Sequence, residues 1–155
     1  MKIVTDPIAL GKVCTQLSFV ESNKIANDMI FWLRTNRQGK QVSEGAYAVA
    51  CNQLGYDARV FVKRGKNRIW HSFINPVIVD RSDDKYITDE KCLSLPNEEF
   101  KVERNRSIRV SNGKNRILGI AQEQDYTGMD AIVIQHEIDH LNGILISDKG
   151  ATNGK

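Results

Sequence analysis

Apolar residues recur at helical spacing near the start of the chain and again near its end, and cluster in short blocks between. Ser18-Phe19-Val20-Glu21 has the S-x-x-E form of a capping box. Ile25, Ala26, Met29, Trp32 and Leu33 follow on one face, which predicts an amphipathic helix ending near Gly39. The middle of the chain is strand-like. Val60–Val62, Ile69–Ile74 and Val77–Val79 are rich in β-branched and aromatic residues, with turns expected at Asn75-Pro76 and Arg81–Asp84. Ser107–Val110 and Ile117–Ile120 read as a hairpin around a turn at Ser111–Lys114. Tyr126-Thr127-Gly128 then leads into a more apolar helix, roughly Met129 to Leu141, with Gly143 where a C-terminal cap is favoured. Ile144–Ile146 reads as a last short strand. The pattern is α+β: antiparallel strands packed around a central helix, with a second helix towards the N-terminus.

Composition narrows the setting. With 155 residues, 41% hydrophobic and 26% charged, the chain suits one globular domain, expected over residues 1–148 with a polar, frayed tail at 149–155. The longest apolar runs, such as Ala46–Cys51, fall far short of the roughly 18 residues of a membrane span. The start, Met1 to Pro7, reaches an acid and a proline too early for a signal peptide. A soluble cytoplasmic protein without a membrane partner is expected. A net charge of +3 is too small to indicate a specific nucleic-acid binder, and Lys63–Arg68 reads as a solvated hairpin turn. Three widely spaced cysteines make no disulfide framework, which fits a reducing compartment.

The chemistry concentrates in Gln135-His136-Glu137-Ile138-Asp139-His140. Histidines four apart on a helix share a face, separated by about 6 Å of rise, so both imidazoles can reach one small cation. Glu137 beside them completes H-E-x-x-H, a pattern in which the carboxylate serves as general base beside a metal. Two unrelated surface histidines would not account for the whole pentad. Met129, Ile132 and Val133 lie on the His136 side of the helix and are candidates for an apolar substrate pocket, ordinary core packing being the plainer reading. A hydrolytic site needs a third protein ligand. No Glu follows His140, and Ile146 occupies the position where a third histidine would fall. The ligand must lie upstream. Cys92 leads, in Asp89-Glu90-Lys91-Cys92-Leu93-Ser94, while Cys14, Cys51, His71 and a carboxylate remain open. His71 otherwise reads as a polar strand residue, and Cys14 and Cys51 as small buried hydrophobes.

Three segments in order resemble the motifs of the peptide deformylases. Gln135–Gly143 is similar to the third motif. Glu90-Lys91-Cys92-Leu93-Ser94 is similar to the second, E-G-C-L-S. Ala46–Gln53 is similar to the first, G-x-G-x-A-A-x-Q. The resemblance covers about residues 1 to 148. Ala46 and Ala48 stand for the two glycines of the first motif, Cys51 for its second alanine, and Lys91 for the glycine of the second. Such replacements remove backbone freedom, so the cleft loops are expected to differ. The chain also ends soon after the last ligand, as in organelle- or virus-encoded forms, the latter acting in host cytoplasm.

The resemblance implies removal of the formyl group from the N-terminal formylmethionine of nascent polypeptides. It implies Cys92, His136 and His140 as ligands of one divalent ion, ferrous iron natively, with zinc, nickel or cobalt as replacements. The ion activates a water, Glu137 acts as base and then acid, and the Gln53 amide and Leu93 N–H donate to the oxyanion. Tyr47, Ala48, Met129, Ile132 and Val133 would receive the methionine side chain. Beside the resemblance, Asp139 reads either as a carboxylate near the ligands that orients a basic partner or as a solvated or capping charge, and Glu90 as one that pairs with a basic side chain, Arg104 being one candidate, to hold the cleft loop. A monomer is expected, with at most weak contact with the ribosome. Two other readings stand: a zinc endopeptidase on the same helix, and a binding protein with a vestigial metal site touching ribosomal RNA through Lys63–Arg68.

Overall fold

A computed structural model describes residues 1–35, 47–114 and 121–152. The first helix, α1 (Pro7–Leu10), is a single turn. Asp6 caps it through its carboxylate, which accepts the Ile8 N–H, and Pro7 occupies the first turn, where a missing N–H costs nothing. Helix α2 (Phe19–Thr35) starts at the expected capping box: the Glu21 carboxylate accepts the Ser18 N–H at 3.2 Å, and Ser18 Oγ accepts the Glu21 N–H at 3.3 Å. Ala26, Met29, Trp32 and Leu33 are buried, each large side chain contributing about 1.5–3 kcal/mol. The end expected near Gly39 lies outside the described residues, as does Ala46.

The strands are β1 (Ala48–Ala50), β2 (Val60–Arg64), β3 (Trp70–Ile74), β4 (Val77–Arg81), β5 (Lys85–Cys92), β6 (Leu95–Asn105), β7 (Ser107–Lys114), β8 (Ala121–Thr127) and β9 (Ala151–Thr152). They form antiparallel sheets in the orders β1-β2-β3, β4-β7-β8 and β5-β6-β9. Helix α3 (Gly128–Leu141) packs against β1, β2, β6, β7 and β8, so the α+β architecture around a central helix holds. Ala131, Ile134, Ile138 and Leu141 of α3 enter the main core with Met29, Leu33, Val49 and Phe61. A smaller cluster gathers Cys92, Phe100, Val102 and Ile146.

Several elements differ from the sequence pattern. Ile144–Ile146 is not a strand: α4 (Ile146–Lys149) begins there, because the Asp148 carboxylate accepts the Leu145 N–H at 2.8 Å and starts a helical turn. Ser111–Lys114 is not a turn but the end of β7, and its partner strand is β8, with Ile117–Ile120 outside the described residues. Gly113 sits at a register irregularity with φ +49°, and a Cβ there would meet the Ile74 carbonyl at 2.8 Å. Lys63 does not belong to a solvated loop. It is buried on β2 and pairs with Asp130 in the first turn of α3 at 2.6 Å. The tail expected from 149 is paired through residue 152: Lys149 closes α4, and Ala151 and Thr152 lie against Lys101 and Phe100.

Candidate metal centre and active site

Helix α3 ends in a tight C-terminal turn. Asn142 donates back to Ile138 and Asp139, and Gly143 follows at φ +70°, where a Cβ would meet the Gly11 carbonyl. The last helical turn is therefore pinned, and with it His140. The Asn52 amide holds the same turn by donating to the His140 carbonyl at 2.8 Å. Cys92 is the last residue of β5, just before the two-residue turn Leu93–Ser94 that leads into β6.

These elements bring three ligand atoms together. Cys92 Sγ lies 3.2 Å from His140 Nε2, which lies 3.2 Å from His136 Nε2, and all three fall within 4.8 Å of one another. Tetrahedral coordination with bonds of about 2.0–2.1 Å to nitrogen and 2.3 Å to sulfur separates neighbouring ligands by roughly 3.3–3.6 Å. One thiol sulfur and two imidazoles at this spacing fit a single divalent ion of the first transition row.

A charged network stands behind the ligands. Arg104, buried on β6, donates through Nε to Glu90 Oε1 at 2.7 Å and through Nη2 to Oε2 at 2.9 Å. Its Nη1 pairs with Asp139, which also accepts Lys149 Nζ at 2.7 Å. Burial alone would raise the Glu90 carboxyl, but the Arg104 guanidinium and the His136 ring outweigh it and hold it at about 2. Glu90 is thus a carboxylate that accepts the His136 Nδ1–H at 2.9 Å. That bond fixes the ring and turns Nε2 towards the other two ligand atoms. With protons alone to serve the site, burial opposes a charge on His136, but the Cys92 sulfur and Glu90 prevail and push it up to about 10. Burial and the neighbouring His136 push His140 down. The pair accommodates one positive charge, and a metal ion can take the proton's place.

Glu137 is 4% exposed. Burial pushes its carboxyl up to about 7 against the pull of His136, and its Oε2 has no hydrogen-bond partner among the described residues. A carboxyl poised near neutrality with a free oxygen is equipped to take up and return a proton. Gln53 is 2% exposed, in the 3-10 helix Cys51–Leu54 that follows β1. Its Oε1 accepts the Ala50 N–H at 3.0 Å, and its Nε2 donates to Cys92 Sγ at 3.4 Å and Ser94 Oγ at 3.1 Å.

The apolar candidates divide. Ala48, Ile132 and Val133 are half-buried, whereas Tyr47 and Met129 stand in solvent at 63% and 67% exposure. The other early candidates for a ligand lie elsewhere: His71 is exposed on β3, and Cys14 and Cys51 are buried in the main core. Ser94 and Lys149 received no role from the sequence. Ser94 follows Cys92 by two residues within the second motif, so a signal was present. Lys149 lies ten residues after its partner Asp139, at the start of what reads as a frayed polar tail, so nothing in the sequence pattern signals the pair.

Comparison with known proteins bears on the whole arrangement. A family model described as polypeptide deformylase matches residues 1–155. The peptide deformylase of Mesorhizobium japonicum is 33% identical over 152 residues, covering 94% of this chain and 80% of that enzyme. That of Brucella suis is 37% identical over 108 residues, a stretch spanning 64% of this chain and 58% of the relative. Among solved structures, a probable peptide deformylase from synechococcus phage S-SSM7 superposes with a TM-score of 0.79 at 30% identity, covering 96% of this chain and 99% of that one. None of these relatives favours the endopeptidase reading. This chain belongs to the polypeptide deformylase family.

Proposed function

We infer that the chain hydrolyses the formamide at the N-terminus of formylmethionyl peptides, releasing formate and a free amino terminus. It is a metal-dependent hydrolase of that family. Cys92, His136 and His140 are the residues that would hold the ion, and the thiol-and-imidazole set suits ferrous iron, with zinc, nickel or cobalt as substitutes. When bound, the ion supplies Lewis acidity, polarising the formyl oxygen and acidifying water.

The chain's own groups do the rest. Glu137 takes a proton as water adds to the formyl carbon, and returns it to the departing amine as the carbon–nitrogen bond breaks. The Gln53 amide donates to the oxygen that becomes negative in between, aided by the Leu93 N–H; losing one such donor typically costs about 2.7–4 kcal/mol. The half-buried Ala48, Ile132 and Val133 would receive the methionine side chain, together with the exposed Tyr47 and Met129. Among the described residues no helix is long and apolar enough to cross a membrane.

The observation that carries this reading is the buried Glu137 carboxyl, whose Oε2 has no hydrogen-bond partner among the described residues, beside an N,N,S ligand group. A purely structural site has no use for such an acid. The test is formate release from formyl-Met-Ala-Ser by protein prepared anaerobically, with metal counted. One formate per new amine is expected. Cleavage of internal peptide bonds without formate would overturn the reading.

A further inference from the structure

Within that reading, the aim of the Gln53 amide is decided by a residue that never touches the substrate. The two ends of a glutamine amide have almost the same shape, and only the nitrogen end can donate to a developing oxyanion. The Ala50 N–H, donating to Oε1 at 3.0 Å, already requires the oxygen to face β1. The nitrogen then carries two hydrogens in one plane, in fixed directions. Ser94 Oγ, 3.1 Å away, takes one of them, and the other is left directed at the corner occupied by Cys92 Sγ, 3.4 Å away. Ser94 is 1% exposed, so no solvent molecule takes its place as acceptor without a packing change. Its position is set rigidly, because it closes the two-residue turn between β5 and β6.

We propose that Ser94 is a positioning residue for catalysis, acting through Gln53: by accepting one amide hydrogen it holds the second towards the reacting oxygen and the ligand sulfur. This rests on the deformylase reading, and wild-type formate release is measured alongside to keep the two apart. An outright loss of an oxyanion donor costs about 10²–10³ in kcat, so loosening one is expected to cost about tenfold. Ser94→Ala should therefore lower kcat about tenfold with KM within twofold and metal content unchanged. Placing the same change in Gln53→Ala should cost nothing further, since the group it steers is gone.

A second readout is spectroscopic. In cobalt(II)-loaded protein the thiolate-to-metal absorption should move to longer wavelength in Ser94→Ala, as the sulfur loses a well-aimed donor. Ser94→Thr should restore both readouts, and the nearly isosteric Ser94→Val should not; this pair also serves if Ser94→Ala fails to fold. Losses that multiply in the double variant, or equal behaviour of the Thr and Val forms, would overturn the proposal while leaving wild-type deformylation intact. An inactive wild type that binds metal fully would instead count against the deformylase reading.

Discussion

Replacing Arg104 by methionine separates two jobs of the buried network, charge compensation and aim. The guanidinium is almost wholly buried and neutralises Glu90 through paired hydrogen bonds at 2.7 and 2.9 Å, while also meeting Asp139. Removing one partner of a buried ion pair costs about 3–5 kcal/mol, mostly for the charge left behind. Asp139 keeps Lys149, and among the described residues Glu90 keeps His136 and Thr88, so a loss near the lower end, about 3 kcal/mol, is expected. At a urea slope of about 2 kcal/mol/M, that is a midpoint lowered by about 1.5 M in chelator-treated protein.

Combining Arg104→Met with Glu90→Leu removes the stranded carboxylate and should recover most of this stability. It should not recover metal binding. His136 Nδ1 then lacks its acceptor, and such supporting bonds are worth about 10–100-fold in affinity. Urea melts and competition with a chromogenic chelator measure the two quantities independently. An Arg104→Met midpoint equal to wild type, or a double variant as unstable as the single one, would refute the argument from charge compensation.

Four further outcomes are expected. Glu137→Gln should retain its metal and lose about 10²–10⁴ in turnover, and normal formate release by that variant would remove Glu137 from the proton-transfer role. Cys92→Ala should fall well below one equivalent of metal after dialysis, and full occupancy by elemental analysis would exclude the sulfur as a ligand. Ile146→Ala opens a gap beside Cys92, Phe100 and Val102 and should cost about 2–5 kcal/mol in a denaturant melt; a change under 1 kcal/mol would mean that α4 contributes little packing there. The Ser18 hydroxyl and N–H hold the Glu21 carboxyl below its usual range. Its contribution is present above the ordinary carboxylate pKa and fades as pH falls through the lower folded value, so Glu21→Gln should flatten the acid loss of protection in the first turn of α2, read by amide exchange.

The helices and the metal corner were legible because they obey local rules. Ser18 and Glu21 announce a helix start, and His136 and His140 share a face for any chain that is helical there. Strands β5 and β6 were far less visible, since hydropathy there runs against burial. Ile87 points to solvent, while Glu90 and Arg104, two residues that ordinarily face water, point inward. Only their mutual pairing makes that arrangement tolerable, and pairing across a hairpin is not a property of either strand alone. The Asn112-Gly113 pair misled for a similar reason. It has turn chemistry, yet Asn112 Oδ1 accepts the Ile74 N–H at 2.7 Å, and the glycine serves a close approach of two strands. Ile144–Ile146 carries apolar residues in a run too short for periodicity to distinguish strand from helix.

Cys92 and His136 are 44 positions apart in the sequence. An ion gripping both acts as a removable cross-link across that span, and a covalent tie closing a loop of this length is worth about 4 kcal/mol of chain entropy. Heat resistance of this enzyme should therefore follow which ion occupies it and how slowly that ion leaves. An oxidised or exchanged centre would be felt as a softer protein as well as a slower one.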